Sequence, residues 1–529
     1  MQKTELINKN YQSYYTSSEP IINYMVKKLD IGAWMRILEP CGGEGAFIDP
    51  LLNKNLKLSF DIYEINPESI KVLKDKYQDN KSINIFESNT LTDKNLAFAS
   101  NFSGGDKYDR IIANPPYGAW VDYNKRKELK KIYPNLYVKE TYTLFLYVAI
   151  KLLNAGGKLV FILPDTFLNL HVHTKLRKFI LENTNIKEIL LFPSNFFPHV
   201  SFGYGRLCII TLEKKSRCGE NKQNIFNVIC GFTSPSQIAR VDNMTDDLEV
   251  YKINQDEMYQ NLDHALFIAD NNIKKLINNS DEKIGDVAAC VTGICTGNNK
   301  RYIKQLYNHE KKPKYEIIDF HRIKLSNVET DEIDSGIKND NKIYVPIIKG
   351  AGKDHYIKQT HLYIDWGEKA VKNYRTDKKA RFQNSKYYFK EGIGVNMVKT
   401  SRLHAYLLES RIFDQSVVGV FPFDKKYTYY LLAFLNSSVA TKIIKIINPS
   451  ANNSAKYIEK LPFLRPSDEI LEEINFYVEE VIDGMKNNEA VNNRILDEIN
   501  KIEQKIDNLV CKIYGITEEE KKVIEESLK

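Results

Sequence analysis

Short apolar runs alternate with amphipathic stretches between residues 35 and 215. Seven of the runs match buried strands in length and composition. They lie at 35–38, 58–64, 83–86, 110–113, 158–163, 186–192 and 206–213. Stretches between them, such as ESIKVLKDKY and TLFLYVAIKLL, have helical spacing. This alternation predicts a doubly wound α/β domain, and ligands of such a sheet bind outside the carboxyl ends of its strands.

A different pattern begins near residue 236. Short strand and turn signals follow, rich in Lys, Asn, Tyr and Gly, without β-α alternation. From about residue 466 the chain is predicted to be helical, with an apolar stripe at helical spacing. The members of the stripe are Ile495, Leu496, Ile499, Ile502, Ile506, Leu509, Val510 and Ile513. We therefore predict three segments, 1–235, 236–465 and 466–529, the last packed on the second, although the stripe also fits a partner helix.

Composition narrows the class of protein. The seven cysteines are scattered and form no CxxC pair, which argues for a reducing cytoplasm and against structural zinc or a disulfide framework. We predict no metal site. The first twenty residues are polar, unlike a signal peptide, and no apolar run approaches the roughly 18 residues of a membrane span. We expect a cytoplasmic protein that makes no membrane contact.

The net charge of +7 is unevenly distributed. Formal charges sum to roughly +8 in residues 1–235, roughly +8 in 236–465 and roughly −9 from residue 466 onward. Two basic segments favour a polyanionic partner. A solvated surface with an incidental bias explains the same numbers equally well.

Three successive predicted strands end in residues that suit a nucleoside. The first runs into ILEPCGGEGAF (37–47), whose glycines allow close backbone approach to a ligand. The second ends at Glu64, and an acidic residue there can hold both ribose hydroxyls. The third leads to Asn89, which could hydrogen-bond an adenine edge. Each residue alone also fits a structural role, but three such strand ends together favour a nucleoside site.

The fourth predicted strand ends in IIANPPYGAW (111–120). The prolines stiffen the turn, and Pro115 moves Asn114 away from helical dihedrals. The carbonyl oxygens of Asn114 and Pro115 can accept hydrogen bonds from one exocyclic amine, while Tyr117 offers a face to a planar ring. Two acceptors favour a pyramidal nitrogen with a free lone pair. Their rigidity keeps them in place as charge develops, so the motif predicts transfer to an aromatic amine.

These motifs and their order resemble the S-adenosylmethionine-dependent N6-adenine DNA methyltransferases of the gamma arrangement. In that family the cofactor motifs come first, NPPY next and target recognition last. The resemblance implies a Rossmann-like class I methyltransferase domain with a mixed seven-stranded sheet over 1–235, a target-recognition domain over 236–465 and terminal helices over 466–529. It also implies S-adenosylmethionine as the cofactor and extrusion of the target adenine from duplex DNA.

The resemblance assigns residues one by one. YYTSSEP (14–20) is similar to the N-terminal cofactor segment and places Thr16 near the methionine end. Asn89 and Thr90 stand where the family usually has Asp and an aromatic residue, so an acceptor for the adenine amine is kept and a stacking ring is lost. The implied cofactor-binding residues are Tyr14, Thr16, Glu39, Pro40, Cys41, Gly42, Glu64, Ile65, Asn89, Thr90, Asn114 and Pro116.

The same resemblance assigns the catalytic residues, whereas the charge pattern of the second segment predicts the DNA contacts. The implied catalytic residues are Asn114, Pro115, Pro116, Tyr117 and Phe197. Phe197, with Phe196 as second choice, comes from FPSNFFPHVSFGYG (192–205), which is similar to the segment that walls the extruded base. A basic and aromatic cluster in the second segment predicts DNA contacts by Lys386, Tyr387, Lys390 and Arg402.

Other readings remain open at this point. NPPY chemistry also serves methyltransferases of RNA and of protein glutamine, and a methylase fold can be an inactive DNA-specificity subunit. Cytosine C5 chemistry is disfavoured because the one Pro-Cys pair, Pro40-Cys41, lies in the cofactor turn. The leading hypothesis is a monomer that acts on double-stranded DNA, with a separate cognate restriction endonuclease as a further partner.

Overall fold

A computed structural model defines two compact units, Met1–Ala269 and Asp270–Lys529. The structure describes residues 18–96, 107–117, 123–197, 206–216, 223–243, 248–267, 271–307, 313–324, 328–338, 341–350, 352–398, 402–448, 452–486 and 493–526.

The first unit is built on one nine-stranded sheet. Its strands are β1 (Arg36–Glu39), β2 (Ser59–Glu64), β3 (Ile83–Glu87), β4 (Tyr108–Ala113), β5 (Leu153–Pro164), β6 (Thr184–Pro193), β7 (Arg206–Lys214), β8 (Ile225–Cys230) and β9 (Glu249–Asn254). The order across the sheet is β3-β2-β1-β4-β5-β7-β6-β8-β9. All seven predicted strands are therefore present, and β8 and β9 extend the predicted seven-stranded sheet to nine.

The strand directions place the predicted site at one edge. β3, β2, β1, β4 and β5 run parallel, and β7 lies antiparallel between β5 and β6. Ile111 and Ile112 of β4 are completely buried, as expected for a strand covered on both faces. Because parallel strands end on the same side, the residues after β1, β2, β3 and β4 share one edge of the sheet.

Helices connect these strands. They are α1 (Glu19–Lys28), α2 (Ile48–Leu52), α3 (Pro67–Tyr77), α4 (Tyr123–Ile132), α5 (Thr141–Leu152), α6 (Thr174–Asn183) and α7 (Pro235–Arg240). α3 starts at a proline and its first turn is capped by the Asn66 side chain, which accepts the N–H of Glu68. In α5 every residue is buried except the half-buried Tyr147 and Lys151, which identifies it as the helix at the centre of this core.

The first unit extends past the boundary predicted at 235. β9 lies in residues 249–254 and pairs antiparallel with β8. The Gln255 side chain then reaches back to β6, accepting the N–H of Ile186 at 2.8 Å. The change in sequence pattern near 236 therefore marks the end of β-α alternation, while the chain stays in the sheet to residue 254.

The second unit contains three small sheets. Its strands are β10 (Glu282–Lys283), β11 (Ala288–Thr292), β12 (Ile303–Gln305), β13 (Glu316–Ile317), β14 (Tyr344–Ile348), β15 (Leu362–Asp365), β16 (Gly392–Asn396), β17 (Ala405–Leu408), β18 (Ile412–Phe413), β19 (Val417–Pro422) and β20 (Pro462–Phe463). They pair as β10-β20, β11-β19-β16-β17 and β13-β12-β15-β14-β18.

An aromatic cluster fills the core between these strands. Trp366 is fully buried, and its indole N–H donates to the carbonyl of Glu332 at 3.2 Å. The rings of Tyr374, Phe382 and Tyr388 lie 6.0, 5.9 and 5.8 Å from it. Large rings of this kind dominate the burial of a small core.

Helices complete the second unit. They are α8 (Asn271–Asn279), α9 (Ile284–Val287), α10 (Asn299–Tyr302), α11 (Thr330–Ser335), α12 (Glu368–Thr376), α13 (Thr428–Asn436), α14 (Ser438–Ile447), α15 (Ala455–Ile458), α16 (Asp468–Lys486), α17 (Asn493–Ile513) and α18 (Glu518–Glu526). α16 and α17 pack on each other and on α13. The predicted stripe buries Ile499, Ile506 and Val510, whereas Leu496 is exposed. The terminal helices are thus part of this unit.

Candidate active site

The turn after β1 requires glycine at several positions. Gly43 and Gly45 have φ of 53° and 81°, a region that favours glycine. The N–H of Gly42 donates to the carbonyl of Tyr63 at 2.9 Å, and a Cβ at Gly42 would lie 2.3 Å from Cγ2 of Ile62. The turn therefore packs directly on β2, which leaves its backbone close to whatever binds at this edge.

Glu64 joins the ends of β1 and β2. Its carboxylate accepts the N–H of Gly43 at 2.7 Å and the N–H groups of Ile65 and Asn66 at 2.8 Å each. Three of its roughly four acceptor positions are thus taken by backbone. Glu64 lies at the end of β2, as predicted, and holds the glycine turn in shape. Its contact with a ribose stays a prediction, with about one acceptor position left for it. Ile65 beside it is exposed, as a residue that covers a ligand would be.

Glu39 carries a buried oxygen that lacks a partner. The residue is 2% exposed, and its Oε2 has no hydrogen-bond partner among the described residues. Burial raises the pKa of this carboxyl well above its usual range, and the charges of Glu64 and Asp49 raise it further. An unpaired buried acceptor is costly, and a cationic donor would satisfy it. The ammonium group of a bound S-adenosylmethionine fits this position.

Cys41 connects the glycine turn with NPPY. The backbone N–H of Asn114 donates to the Cys41 sulfur, while burial and the carboxyls of Glu39 and Glu64 raise the pKa of its thiol. A thiol kept neutral in this way is a poor nucleophile. Its contact instead places the start of NPPY against the cofactor turn.

Tyr117 is directed into the protein. The residue is 4% exposed, its hydroxyl donates to the side-chain oxygen of Asn114, and the carbonyl of Ile162 lies 3.1 Å from the same hydroxyl. Burial raises the pKa of the phenol well above its usual range, which keeps the donor protonated. In this conformation the tyrosine positions the Asn114 amide; it does not present an open ring face. Pro115 is buried and Pro116 is partly exposed beside it.

Thr141 and Tyr142, at the start of α5, support NPPY from behind. The Thr141 hydroxyl donates to the carbonyl of Pro116 at 3.0 Å. The Tyr142 ring meets the Tyr117 ring edge-on, with centroids 6.3 Å apart. Sequence reasoning did not single out these residues, because nothing local in KETYTLF shows which strand end the helix start will contact.

A buried polar network holds Tyr142 in turn. Its hydroxyl lies 3.1 Å from the Glu140 carboxylate and 2.9 Å from the Thr166 hydroxyl. The same Glu140 oxygen lies 2.9 Å from Nε2 of His173, a residue that is 2% exposed. Burial lowers the pKa of His173, so its ring is neutral near pH 7. Every member of this network was missed from the sequence.

The turn after β3 is shaped by Asn89 and Thr90. The Asn89 side-chain oxygen accepts the N–H of Leu91 at 3.0 Å, which leaves it one further acceptor position. The Thr90 hydroxyl donates to the carbonyl of Pro40 at 2.5 Å. Threonine thus ties the third strand end to the first in place of the family's usual aromatic residue.

The remaining predicted residues of this unit are either buried or lie outside the residues that the structure describes. Phe197 is 3% exposed and Phe196 is 7% exposed. The Phe196 ring stacks on Phe192 with centroids 5.7 Å apart, which indicates a packing role. Tyr14 and Thr16 lie outside the described residues.

The predicted DNA contacts of the second unit differ in exposure. Lys386 and Lys390 are exposed. Tyr387 stacks on Phe421 with centroids 4.6 Å apart, so one of its faces is covered. Arg402 is exposed and lines a cavity of about 540 Å³ together with His355 and His404.

The described ranges contain no group of three or more His, Cys, Asp or Glu side chains placed to hold a metal ion. No single described helix has the length and apolar character to cross a membrane, and one pair, Lys425–Asn436 and Ser438–Ile447, meets those criteria only when taken together across a 70° bend.

The fold and the residues at the strand ends define a class of protein, and comparison with known proteins agrees. Residues 44–197 match the model of the Eco57I restriction-modification methylase family. This segment holds the end of the glycine turn from Glu44, together with Glu64, the β3 turn and NPPY. The fold of the first unit is that of class I methyltransferases. The family match agrees with the predicted Rossmann-like methyltransferase fold and with S-adenosylmethionine as the cofactor.

Particular relatives are Type II methyltransferases. The chain is 27% identical over 168 residues to "Type II methyltransferase M.AccI" of Acinetobacter calcoaceticus, covering 30% of this chain and 29% of that protein. It is 31% identical over 179 residues to "Type II methyltransferase M.HincII" of Haemophilus influenzae, covering 32% of each. The matched segments therefore span about three tenths of the length of these relatives.

One solved structure resembles most of the chain. A cryo-EM structure of the DrdV–DNA complex superposes with a TM-score of 0.53 and 12% identity, covering 90% of this chain and 57% of that one. At this identity the similarity establishes a shared fold. The superposition with the DrdV structure includes the second unit, whereas the match to the methylase family ends at residue 197.

Proposed function

We propose that the chain is a site-specific DNA methyltransferase that transfers a methyl group from S-adenosylmethionine to N6 of adenine, as part of a restriction-modification system. One observation carries the proposal above the others: NPPY lies at the carboxyl end of β4, with the Asn114 N–H bonded to Cys41 of the glycine turn. Amine acceptors and cofactor turn are thus adjacent.

Different residues of the chain would bind the cofactor and the target amine. S-adenosylmethionine, when bound, supplies a methyl group on a positively charged sulfur. Glu39 would hold its ammonium group, and the Glu64 region its ribose. Acceptors of the NPPY turn, the oxygens of Asn114 and Pro115, would hold the two hydrogens of the target amine and direct its lone pair toward the methyl group. Because these acceptors are fixed before reaction, no reorganisation is needed as charge develops.

Adenine within a duplex cannot reach such a buried turn, so we propose that the base is flipped out. Extrusion costs a few kcal/mol, which contacts in the pocket must offset. Stacking on Tyr117 requires its ring to move from its buried position, and Phe197 is the second proposed wall. In the structure described, the supported role of Tyr117 is to orient Asn114.

The second unit is proposed to read the DNA sequence. Lys386 and Lys390 are exposed and suit phosphate contacts, and Arg402 suits a phosphate or a base edge. We propose Tyr387 as a further contact through its uncovered face. Residues 270–465 would recognise the target and the terminal helices would stabilise them. We further propose that the protein is a monomer in the cytoplasm and that a separate cognate endonuclease is its partner.

Product analysis tests this function directly. The full chain, incubated with S-adenosylmethionine and unmethylated duplex DNA, should produce N6-methyladenine on mass spectrometry of the digested nucleosides. Single-molecule sequencing should then place the modification in one defined motif. Asn114→Ala serves as the control and should leave the DNA unmodified. Methyl transfer to cytosine, or to RNA or protein with none to DNA, would contradict the proposal.

A further inference from the structure

We propose that one face of α4, formed by Lys127, Lys130 and Lys131, binds backbone phosphates of the substrate DNA close to the target base. This inference rests on the proposed function. It concerns a surface in the first unit, whereas the individual lysine and arginine residues that the sequence analysis named as DNA contacts all lie in the second. These three lysines form the α4 face.

The charge of α4 is concentrated and of one sign. Its sequence, YNKRKELKKI, has five basic residues and one acidic residue in ten. Residues three and four apart share a face of a helix, so Lys127, Lys130 and Lys131 project together. All three are exposed, while Leu129 is 2% exposed and faces the protein.

The described residues do not neutralise this face. No ion pair joins Lys127, Lys130 or Lys131 to an acidic group within them, and Lys130 only approaches the carbonyl of Leu136 at 3.4 Å. Like charges on one helix face repel each other unless a polyanion covers them.

Helix α3 of the same unit shows the contrast. Its lysines are also on the surface, but Lys74 lies 3.8 Å from Glu87 and Lys76 lies 2.5 Å from Asp49. Two of the three lysines of α3 therefore lie near an acid. The α4 face departs from that arrangement.

The α4 face is carried on an anchored element. Tyr133, directly after the helix, donates its hydroxyl to the carbonyl of Leu91 at 2.8 Å, and its ring packs edge-on against Tyr147 of α5 at 6.2 Å. The lysines thus extend from a helix end that is fixed to the β3 turn and to the core helix. Anchoring lowers the entropic cost of using them in binding.

Chain length keeps the helix close to the chemistry. Tyr123 follows Tyr117 by six residues, a span of at most about 21 Å when fully extended. Phosphates along one DNA strand recur about every 3.4 Å of axis. The start of α4 therefore lies within reach of phosphates about six nucleotides or fewer from a base held at NPPY.

Salt dependence of DNA binding provides the test. The full chain and the triple variant Lys127→Gln, Lys130→Gln, Lys131→Gln are titrated with the same duplex at several salt concentrations. Removing three phosphate contacts should reduce the slope of log K against log salt by about 2.7. In methylation assays the KM for DNA should rise about tenfold with kcat within about twofold, and the modified motif should stay the same, since phosphate contacts carry no sequence information.

Two further variants make the result specific. Lys71→Gln, Lys74→Gln on α3 removes exposed positive charge from the same unit and should leave the slope unchanged. The triple lysine-to-arginine variant of the α4 face keeps the charge and should retain the wild-type slope.

An unchanged slope in the triple glutamine variant overturns the inference, whether or not the protein methylates DNA. A reduced slope in a protein that never methylates adenine supports the α4 face and contradicts the proposed function instead. Affinity for S-adenosylmethionine, measured by calorimetry, should be equal in all variants, and its loss in the glutamine variant would also count against a pure phosphate role.

Discussion

The hydroxyl of Tyr117 has a defined partner in the side chain of Asn114. NPPY is therefore a connected unit in which the last residue fixes the orientation of the first. Cys41 accepts the Asn114 N–H from the other side. Asn114 is thus held through both its backbone and its side chain. A fixed pair of acceptors requires this rigidity.

Tyr117→Phe should therefore slow methyl transfer although the ring is kept. Loss of one hydrogen bond worth about 1 kcal/mol corresponds to roughly a five- to tenfold lower kcat. Cofactor affinity should not change. Tyr251→Phe, which removes a hydroxyl bond to Glu249 on the distant strand β9, is the matched control. Steady-state kinetics that show equal kcat in Tyr117→Phe and wild type would mean that the hydroxyl does not position Asn114.

Glu39 should release a proton when S-adenosylmethionine binds. Burial and neighbouring carboxyls raise its pKa well above the usual range, so the folded protein without cofactor holds a proton there at pH values where an exposed Glu is ionised. A cationic ligand favours the ionised form and expels the proton. Affinity for S-adenosylmethionine should therefore increase as pH rises toward this raised pKa, and become independent of pH above it.

Calorimetry in two buffers of different ionisation enthalpy measures this release. Wild-type protein should release a fraction of a proton on binding, up to about one, depending on pH. Glu39→Gln, of the same shape, should release none and show a flat pH profile. Equal proton release in both proteins would remove Glu39 from the cofactor site.

The sequence predicted the residues of this site better than their interactions. Glu64 and Asn114 were located because each lies at the end of an apolar run, and parallel strands bring such positions to one edge. Glu39 and Cys41 were assigned through the resemblance of EPCGGEG to the family's cofactor motif. The three backbone bonds to Glu64 and the inward direction of Tyr117 were not predictable, because they depend on side-chain packing that no local spacing encodes.

At the scale of elements, the same reasoning explains which strands were found. β1, β2, β4 and β5 are buried apolar runs and are easily recognised. β9, with the sequence EVYKIN, is an edge strand without a buried residue. Its polar pattern reads as a turn region, so it was not predicted. β8 was missed as well, although Phe226, Val228 and Ile229 in it are buried.

Helix α17 is attached to the rest of the second unit by a pair that responds to pH. Nε2 of His355 lies 2.7 Å from the Glu503 carboxylate of α17. This hydrogen bond raises the pKa of His355 above its usual value, against the opposing effect of burial. Nearby His404 behaves in the opposite way: burial and the charge of His355 lower its pKa to about 4.

The two histidines lose their protons in different pH ranges. Above the usual histidine pKa of about 6.5, His404 is neutral whether folded or unfolded, so only His355 still titrates. A raised folded-state pKa gives stability that is complete below about 6.5 and is lost as pH rises through the folded value. Thermal unfolding of the full chain should accordingly show a midpoint that falls across this window. His355→Gln should abolish that dependence, and an unaltered dependence would assign it to another group.

At the scale of the whole molecule, the chain divides at residues 269 and 270. The first unit contains every residue assigned to cofactor and chemistry, and the second contains every residue first assigned to target recognition. The boundary predicted at 235 would cut between β8 and β9. It would leave the backbone groups of β8 without their partners on that side and remove Gln255, whose side chain binds both Ile186 and Asn224.

Two fragments should therefore behave differently. A fragment of residues 1–269 keeps all nine strands and should fold cooperatively and bind S-adenosylmethionine. A fragment of residues 1–235 exposes β8 as a new sheet edge and should unfold at lower temperature or aggregate, since an unpaired edge recruits other strands.

Neither fragment should methylate a defined motif, because sequence is read by contacts to base edges and these are assigned to residues beyond 269. Calorimetric unfolding compares the fragments, and single-molecule sequencing of DNA treated with the 1–269 fragment or the full chain compares their targets. If the 1–269 fragment modifies the same motif as the full chain, recognition lies in the first unit and the role proposed for Lys386, Lys390 and Arg402 is wrong.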